Sequence, residues 1–356
     1  MIGVLMEAMI VRNLIHLRPV LLRPALLCPA LMCIAMLVGC AQPHVVSLNG
    51  QTMGTTYSVK LVGASVDQQQ LAAVIDERLQ QINQLMSTYM SASELSQFND
   101  APLDEWFDVS PETQAVIELA NDISTLSDGS FDVTVGPLVN LWGFGPQQIP
   151  DHVPSIAEID DTRERVGFGF LQVRPGALRK EAALYVDLSS IAKGFAVDEI
   201  VRLLEARELN DYLVEVGGEL RARGKNPGGK IWRVAIELPE AGQRMPYQVV
   251  ELADMGMATS GDYRNYFERD GVRYSHTIDP ATGYPIRHNL ASVTVLAKST
   301  ARADAMATAI SVMGADPGLA LAEAQDLAVF VILKTPEGFE ARHSTAFTPY
   351  LSTLIP

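Results

Sequence analysis

The sequence predicts an α+β fold: a single domain with a largely antiparallel sheet flanked by helices. Three observations predict it. Strand-like segments clearly outnumber segments with a helical period, and they do not alternate with helices as parallel βα units would. Turn formers such as Met53-Gly54 and Pro336-Glu337-Gly338 join consecutive strand-like runs as hairpins. No Pro-, Gly- or Ser-rich linker divides residues 47–345.

The elements follow in chain order. Arg12, Arg18 and Arg23 precede an apolar run from about Pro24 to Val38. The run is too short for a confident transmembrane helix and has the charged-then-apolar shape of a secretory signal; Met9 is an alternative start. It ends in Leu37-Val38-Gly39-Cys40, which resembles the lipobox of bacterial lipoproteins, with Cys40 as the acylated first mature residue. The plainer reading is a signal peptide or membrane anchor with an incidental Cys. The expected layout is a lipoprotein signal over 1–39, a tether over 40–46, the domain over 47–345 and a C-terminal tail over 346–356. Ala41 after Cys40 points to the outer rather than the inner membrane, on its periplasmic face. Cys28, Cys33 and Cys40 are the only cysteines. The mature chain therefore has no disulfide frame, Cys-based zinc site or thiol nucleophile.

Val45 to Val62 reads as two strands around a Gly turn, and Leu71 to Met86 has a helical apolar period. Ser110 and Pro111 open a second helix to Leu126, which Asp128-Gly129 ends. Residues 146–165 look like an irregular, partly helical insertion. Leu184–Leu188 reads as a strand and Ile191 to about Arg207 as a helix. Strands are expected at Tyr212–Val216, Trp232–Leu238, Tyr247–Leu252, Ala258–Ser260, Val272–Ile278 and Ser292–Ala297. A helix from Thr300 to Met313, ended by Gly314, and a hairpin over 328–343 complete the domain.

Several segments carry chemistry. Asp187 to Asp198 joins a strand to a helix, where unpaired N–H groups and Lys193 offer a seat for phosphate. An ordinary junction with a surface Lys would look the same, and the glycine spacing is not that of a Walker A loop. Asp304 and Thr308, four residues apart, share a helix face and are hard oxygen ligands suited to Mg2+. Taken alone, the pair is better explained as a helix-start carboxylate and a buried Thr. His276, in the turn-rich run Tyr274 to Pro285, has a side chain that titrates near neutrality and can serve as a base. Asp262, in Ser260-Gly261-Asp262-Tyr263, is a second candidate. Ser130, Phe131 and Asp132 follow Asp128-Gly129 and offer an aromatic face and polar groups beside a backbone that a ligand can approach, though a helix cap and turn need no more.

The order of these segments is more specific than any one of them. Met53-Gly54-Thr55, Asp128 to Asp132, Lys193-Gly194, Val216-Gly217-Gly218-Glu219, Ser260 to Tyr263, His276 to Pro285 and Ala303 to Ala309 together resemble the ApbE family of FAD:protein FMN transferases, over roughly residues 47–340. The resemblance implies an extended FAD with its pyrophosphate on Mg2+. The metal would be held by Asp304, Thr308 and the carbonyl of Ser190. Met53, Tyr89, Ser130, Phe131, Asp132, Lys193, Ile278 and Ala307 match positions near FAD. Many relatives carry an acid where Lys193 stands. The implied reaction is attack of an acceptor's Ser or Thr hydroxyl on the FMN-side phosphorus, with AMP leaving. The implied acceptors are flavin-carrying subunits of membrane redox complexes of the Na+-translocating NADH:quinone oxidoreductase and Rnf types.

A net charge of −15 argues against a nucleic-acid surface. Two other readings fit the same residues: a Mg2+-dependent FAD pyrophosphatase that gives FMN and AMP, and a non-catalytic flavin-binding lipoprotein.

Overall fold

Strands β1 (Val45–Thr52) and β2 (Thr55–Val62) form the first hairpin. Their Met53-Gly54 turn is left-handed at both positions, φ 49° and 69°, the two-residue geometry that right-twisted strands favour. The computed structural model describes residues 44–146, 153–240, 245–261 and 265–352. Helix α1 (Gln68–Met86) follows, its first turn capped by the Asp67 carboxylate. Next come α2 (Glu94–Asp100), β3 (Phe107–Asp108), α3 (Pro111–Leu126), α4 (Gly136–Leu141) and α5 (Ile156–Arg163). As expected, Ser110 caps α3 and Pro111 fills its first turn. The chain continues through β4 (Leu171–Arg174), β5 (Ala177–Lys180), α6 (Ala192–Glu205), β6 (Tyr212–Val216), β7 (Glu219–Arg223), β8 (Trp232–Glu237), β9 (Pro246–Leu252) and β10 (Met255–Gly261). It ends with β11 (Tyr266–Arg269), β12 (Val272–Ser275), β13 (Leu290–Ala297), α7 (Thr300–Met313), α8 (Ala315–Ala324), β14 (Ala328–Thr335), β15 (Gly338–His343) and β16 (Leu351–Ser352).

The main sheet has eight strands in the order β1-β2-β6-β7-β10-β13-β14-β15, and every neighbouring pair is antiparallel. Side chains alternate between its faces. Val293, Val295, Val329 and Val331 enter one core with the apolar faces of α1, α6 and α7. Leu296, Ala328, Phe330 and Ile332 enter a second core with Trp232, Val250 and Phe347. Helices thus cover one face. The other is covered by the small β16-β9-β8 sheet, a division that the expectation of flanking helices had not drawn.

Three sequence readings change. Leu184–Leu188 is not a strand; its one bridge pairs Tyr185 with Val135. The Asn99 side chain takes the place of a neighbouring strand, accepting from the Val186 N–H at 2.7 Å and donating to the Val186 carbonyl at 2.9 Å. Leu184, Val186 and Leu188 alternate because they are buried, at 3, 0 and 0 % exposure. The expected strand Val272–Ile278 stops at Ser275 and pairs with β11, which carries no clean alternation. Residues expected to form a C-terminal tail belong to the fold as far as Ser352, since Phe347 is fully buried and Leu351 pairs with Val250.

Two contacts lock α6 against α7. Asp198 on α6 accepts from the Ser299 hydroxyl and from the Thr300 and Ala301 N–H groups at 2.8, 2.9 and 3.1 Å. It thereby satisfies donors at the start of α7 that have no helical partner. One turn away, Gly194 lies so near α7 that a Cβ would sit 2.4 Å from the Thr300 carbonyl oxygen. The opposing atom is backbone and cannot swing aside. Gly194→Ala should therefore lower the unfolding free energy by about 1–3 kcal/mol, the usual cost of overpacking, as measured by urea denaturation.

Candidate active site

A cavity of about 760 Å3 opens beside the ends of β7, β8 and β10. Ser190 and Lys193 enter it from the start of α6, and Asp304 and Thr308 from α7. His276 and Ile278 come from the loop after β12, while Ser130, Phe131 and Asp132 come from the turn after α3. Tyr89 stands on its rim, 70 % exposed. The structure thus gathers residues from five separated stretches of sequence.

Its most charged corner is a triad of Lys193, Glu219 and Asp304. The ammonium lies 3.2 Å from Glu219 Oε1 and 3.6 Å from Asp304 Oδ2. Asp304 Oδ2 also accepts from the Gly194 N–H at 3.0 Å. Burial pulls the Lys193 pKa down, but the two carboxylates outweigh it and hold the group above its ordinary value. Burial raises the Asp304 pKa against the pull of Lys193 and the Gly194 N–H. Burial, then the Asp304 charge, lifts Glu219 to about 8. Two buried acids share one cation, and among the described residues Glu219 Oε2 has no hydrogen-bond partner. Gly217 makes room for this arrangement: at φ 62° it lies where a Cβ would meet Lys193 Cδ at 3.0 Å and Thr55 Cγ2 at 2.8 Å.

The start of α6 does not present the row of free donors that its junction with the preceding segment implied. The Ile191 and Ala192 N–H groups both bond the Leu188 carbonyl, and that of Gly194 is spent on Asp304. The cation at this junction is Lys193.

His276 is set by its backbone and by a row of rings. Its Nδ1 lies 3.0 Å from the Asn265 carbonyl. A carbonyl only accepts, so Nδ1 carries the proton of the neutral ring and Nε2 is the basic nitrogen. Trp142, Tyr274, Phe267 and Phe144 stack in sequence, with centroids 5.4, 5.0 and 5.5 Å apart, and Phe144 meets His276 edge-on at 6.3 Å. The Trp142 indole N–H donates to the Gly283 carbonyl at 2.8 Å, and Arg163 of α5 donates to the Ala281 carbonyl. Ile159 and Trp142 share a third apolar core with Ile278. The described part of the 146–165 insertion is therefore a buttress for the His276 loop.

Other expected residues play different parts. Asp132 is buried and uses both oxygens locally, accepting from the Thr134 N–H and hydroxyl and from the Phe168 N–H at 2.7, 2.7 and 2.9 Å. It ties the Ser130–Asp132 turn to the segment after α5. Burial still raises its pKa against those bonds. Phe131, 1 % exposed, is wall rather than an open stacking platform. Met53 and Ala307 are not on the cavity wall. Met53 packs on the main core while Thr55 and Thr56 line the cavity in its place. Ala307 is 1 % exposed in that core. Asp262 and Cys40 lie outside the described residues. Glu219 was named only within a motif, and its pairing with Lys193 rests on long-range folding. Asp187, named only as the first residue of a motif, also lines the cavity, as do Glu215 and Glu237 without a sequence signal.

An α+β scaffold frames one charged cavity between a helix pair and a histidine loop, the arrangement of a ligand-binding site. The ApbE family model matches residues 53–331. A Vibrio cholerae protein named FAD:protein FMN transferase is 47 % identical over 321 residues, covering 89 % of this chain and 96 % of its own. An Escherichia coli protein of the same name is 40 % identical over 329 residues, with 88 % and 94 % covered. The structure of the Vibrio cholerae flavin transferase ApbE superposes with a TM-score of 0.82 at 46 % identity, covering 87 % of this chain and 100 % of its own. That of the Pseudomonas stutzeri flavinyl transferase ApbE in its apo form gives 0.82 at 42 %, with 89 % and 100 % covered. The chain belongs to the ApbE family.

Lys193 is what keeps two buried acids together. Lys193→Met should destabilise the metal-free domain by up to about 3–5 kcal/mol at pH 8, the cost of orphaning a buried ion pair. The sign of the pH effect follows from the raised Glu219 pKa. The folded state binds more protons than the unfolded state between the ordinary carboxylate range and about 8, so stability falls as pH rises through that window. The fall should be steeper in the variant, and urea melts across pH 5–9 read both slopes.

Proposed function

We propose that this chain transfers the FMN half of FAD to a Ser or Thr hydroxyl of an acceptor protein and releases AMP. The observation that carries the proposal is the Lys193–Glu219–Asp304 triad on one wall of the cavity, in a family whose relatives bear the name FAD:protein FMN transferase. The reaction joins the acceptor oxygen to the FMN-side phosphorus and breaks that phosphorus's bond to the bridging oxygen, which leaves with AMP. His276 Nε2 takes the hydroxyl proton. Lys193 meets phosphate oxygens at the α6 start. The ring row behind His276 holds the base still, and positioning of this kind supplies most of the catalysis in phosphoryl-type transfers.

The residues fit Mg2+. Two carboxylates against one ammonium leave the site negative before a pyrophosphate enters, and Asp304, Thr308 and the Ser190 carbonyl supply the hard oxygens that this ion prefers. Bound there, the ion would offset charge on the phosphate oxygens.

The acceptor class we propose is the flavin-carrying subunit of a membrane redox complex of the NADH:quinone oxidoreductase or Rnf type, supported by the family resemblance. We also propose that Cys40 carries the lipid anchor and holds the domain at the periplasmic face of a bacterial membrane, with Ala41 favouring the outer one. The support is Leu37-Val38-Gly39-Cys40 behind an apolar run. An alkyne-palmitate label should enter the wild-type chain and not Cys40→Ala.

The soluble domain, incubated with FAD, Mg2+ and an acceptor domain, should add the mass of one FMN less water to the acceptor, read by mass spectrometry. Asp304→Ala should lose the product by about two orders of magnitude or more, the scale on which a key electrostatic stabiliser acts. Free FMN and AMP without a mass gain would replace transfer with hydrolysis, and FAD retained intact would leave a binding protein.

A further inference from the structure

The main sheet has two unlike ends. The cavity lies at the end where β2 and β7 begin and β10 stops. The first described residue, His44, lies at the other, its carbonyl accepting from the Gly63 N–H at 2.8 Å. Val62, paired with Val45, donates to the Asp211 carbonyl at 2.9 Å. Asp211 Oδ1 in turn accepts from the Lys225 N–H at 2.6 Å. A short run of hydrogen bonds thus joins the point where the chain enters the domain to the turn between β7 and β8.

That turn runs against the composition of the chain. Residues 221–233 carry Arg221, Arg223, Lys225, Lys230 and Arg233 and no acid, in a sequence with 42 acidic residues for 27 basic ones. The three arginines are spent within the fold: Arg221 on Asp254 at 3.1 Å, Arg223 on Glu205 at 2.7 Å and Arg233 on Glu251 at 4.0 Å. Lys225 and Lys230 are exposed, and among the described residues neither ammonium has an ion pair. The turn that carries them is firmly built. Lys225 bridges Ile231 in antiparallel fashion, and the Asn226 side chain accepts from the Gly228 and Lys230 N–H groups at 2.9 and 3.2 Å. Ile231, next to Lys230, is 43 % exposed.

We propose that this end of the domain docks on a membrane, with Lys225 and Lys230 against anionic lipid headgroups and Ile231 beside them at the same surface. The inference rests on the Cys40 anchor proposed above. Four residues of chain lead from Cys40 to His44, a reach of about 14 Å at most. A net charge of −15 is repelled by an anionic bilayer, so a domain leashed this closely settles with its basic turn toward the lipid. The cavity then stands away from the membrane. Thr56 of its wall lies six residues along β2 from Val62, about 20 Å at the rise of a strand.

The acylated full chain in vesicles containing phosphatidylglycerol tests this by hydrogen exchange read with mass spectrometry. Amides of residues 226–231 should exchange roughly tenfold more slowly than in pure phosphatidylcholine vesicles, the shift that two lysines supply at an anionic surface. The Met53-Gly54 turn, at the other end of the sheet, should exchange alike in both. About 0.5 M salt should abolish the difference. So should Lys225→Gln combined with Lys230→Gln, with the transfer rate in neutral detergent unchanged. Equal exchange over 226–231 in the two lipids, or slowing at Met53-Gly54 instead, overturns the inference and leaves the anchor intact. Slowing by inorganic phosphate alone, without vesicles, makes the turn a plain anion site and also overturns it. A chain that takes up no palmitate label is the distinct failure of the anchor, and the docked end falls with it.

Discussion

The close crossing of α6 and α7 is the constraint on which the site depends. Asp304 and Thr308 sit on α7, and Ser190 and Lys193 sit at or just before the start of α6. Their separation is fixed by how near the two helices come and by their register. Glycine at 194 sets the nearness, and the Asp198 carboxylate on the Ser299–Ala301 turn sets the register. The same Gly194 that permits the approach also turns its N–H onto Asp304. Packing and electrostatics are thus specified by one short stretch, Lys193 to Asp198. The alanine-rich α7, buried at Ala301, Ala303, Ala305, Ala307 and Ala309, keeps the rest of the helix as close to the sheet as to its neighbour.

The charge of the site follows from that geometry. Once Asp304 is held against Gly194, the Lys193 side chain has two acids to serve, because the Gly217-Gly218 turn delivers Glu219 to the same point. A lone ammonium cannot neutralise both, and burial has already raised the carboxyl pKa values. The corner therefore binds protons or cations more readily than its composition suggests. An anionic substrate is favoured only when that excess has been answered. Cation and substrate should consequently assist each other in binding, a coupling that is reciprocal by thermodynamic necessity.

Much of this was legible in the sequence wherever the information is local. The Met53-Gly54 turn, the Ser110-Pro111 start of α3, the i, i+4 pair Asp304 and Thr308 and the buried runs of β13 and β14 all follow from neighbours within a few residues. What escaped is non-local. Alternation over Leu184–Leu188 looked like a strand because burial imposes the same period as pairing, and only the distant Asn99 decides between them. Ala307 shares the motif of Asp304 but its short side chain is buried in the core rather than on the cavity wall, and Met53 marks the right turn without reaching the cavity. Asp132 matched a ligand position yet spends its oxygens on Thr134 and Phe168. The Glu219–Lys193 contact joins residues with a strand and a turn between them, so no spacing rule could announce it.

The two halves of the site rest on different cores. Asp304, Thr308 and Lys193 are carried by helices of the main core. His276 and Ile278 are carried by a loop whose support is the third core, with Trp142, Ile159 and Tyr274. That core is built largely from α4 and the stretch that reads as an unpatterned insertion. A segment without a motif therefore helps set where His276 stands, through the indole bond to Gly283 and the ring row that ends at His276. Changes there would move His276 relative to the Lys193–Glu219–Asp304 corner while leaving the corner itself unaltered. In the proposed reaction proton removal by His276 depends on that distance, whereas binding of FAD beside the triad does not. On that proposal, variation in the insertion would shift the position of His276 without touching a residue of the Lys193–Glu219–Asp304 corner.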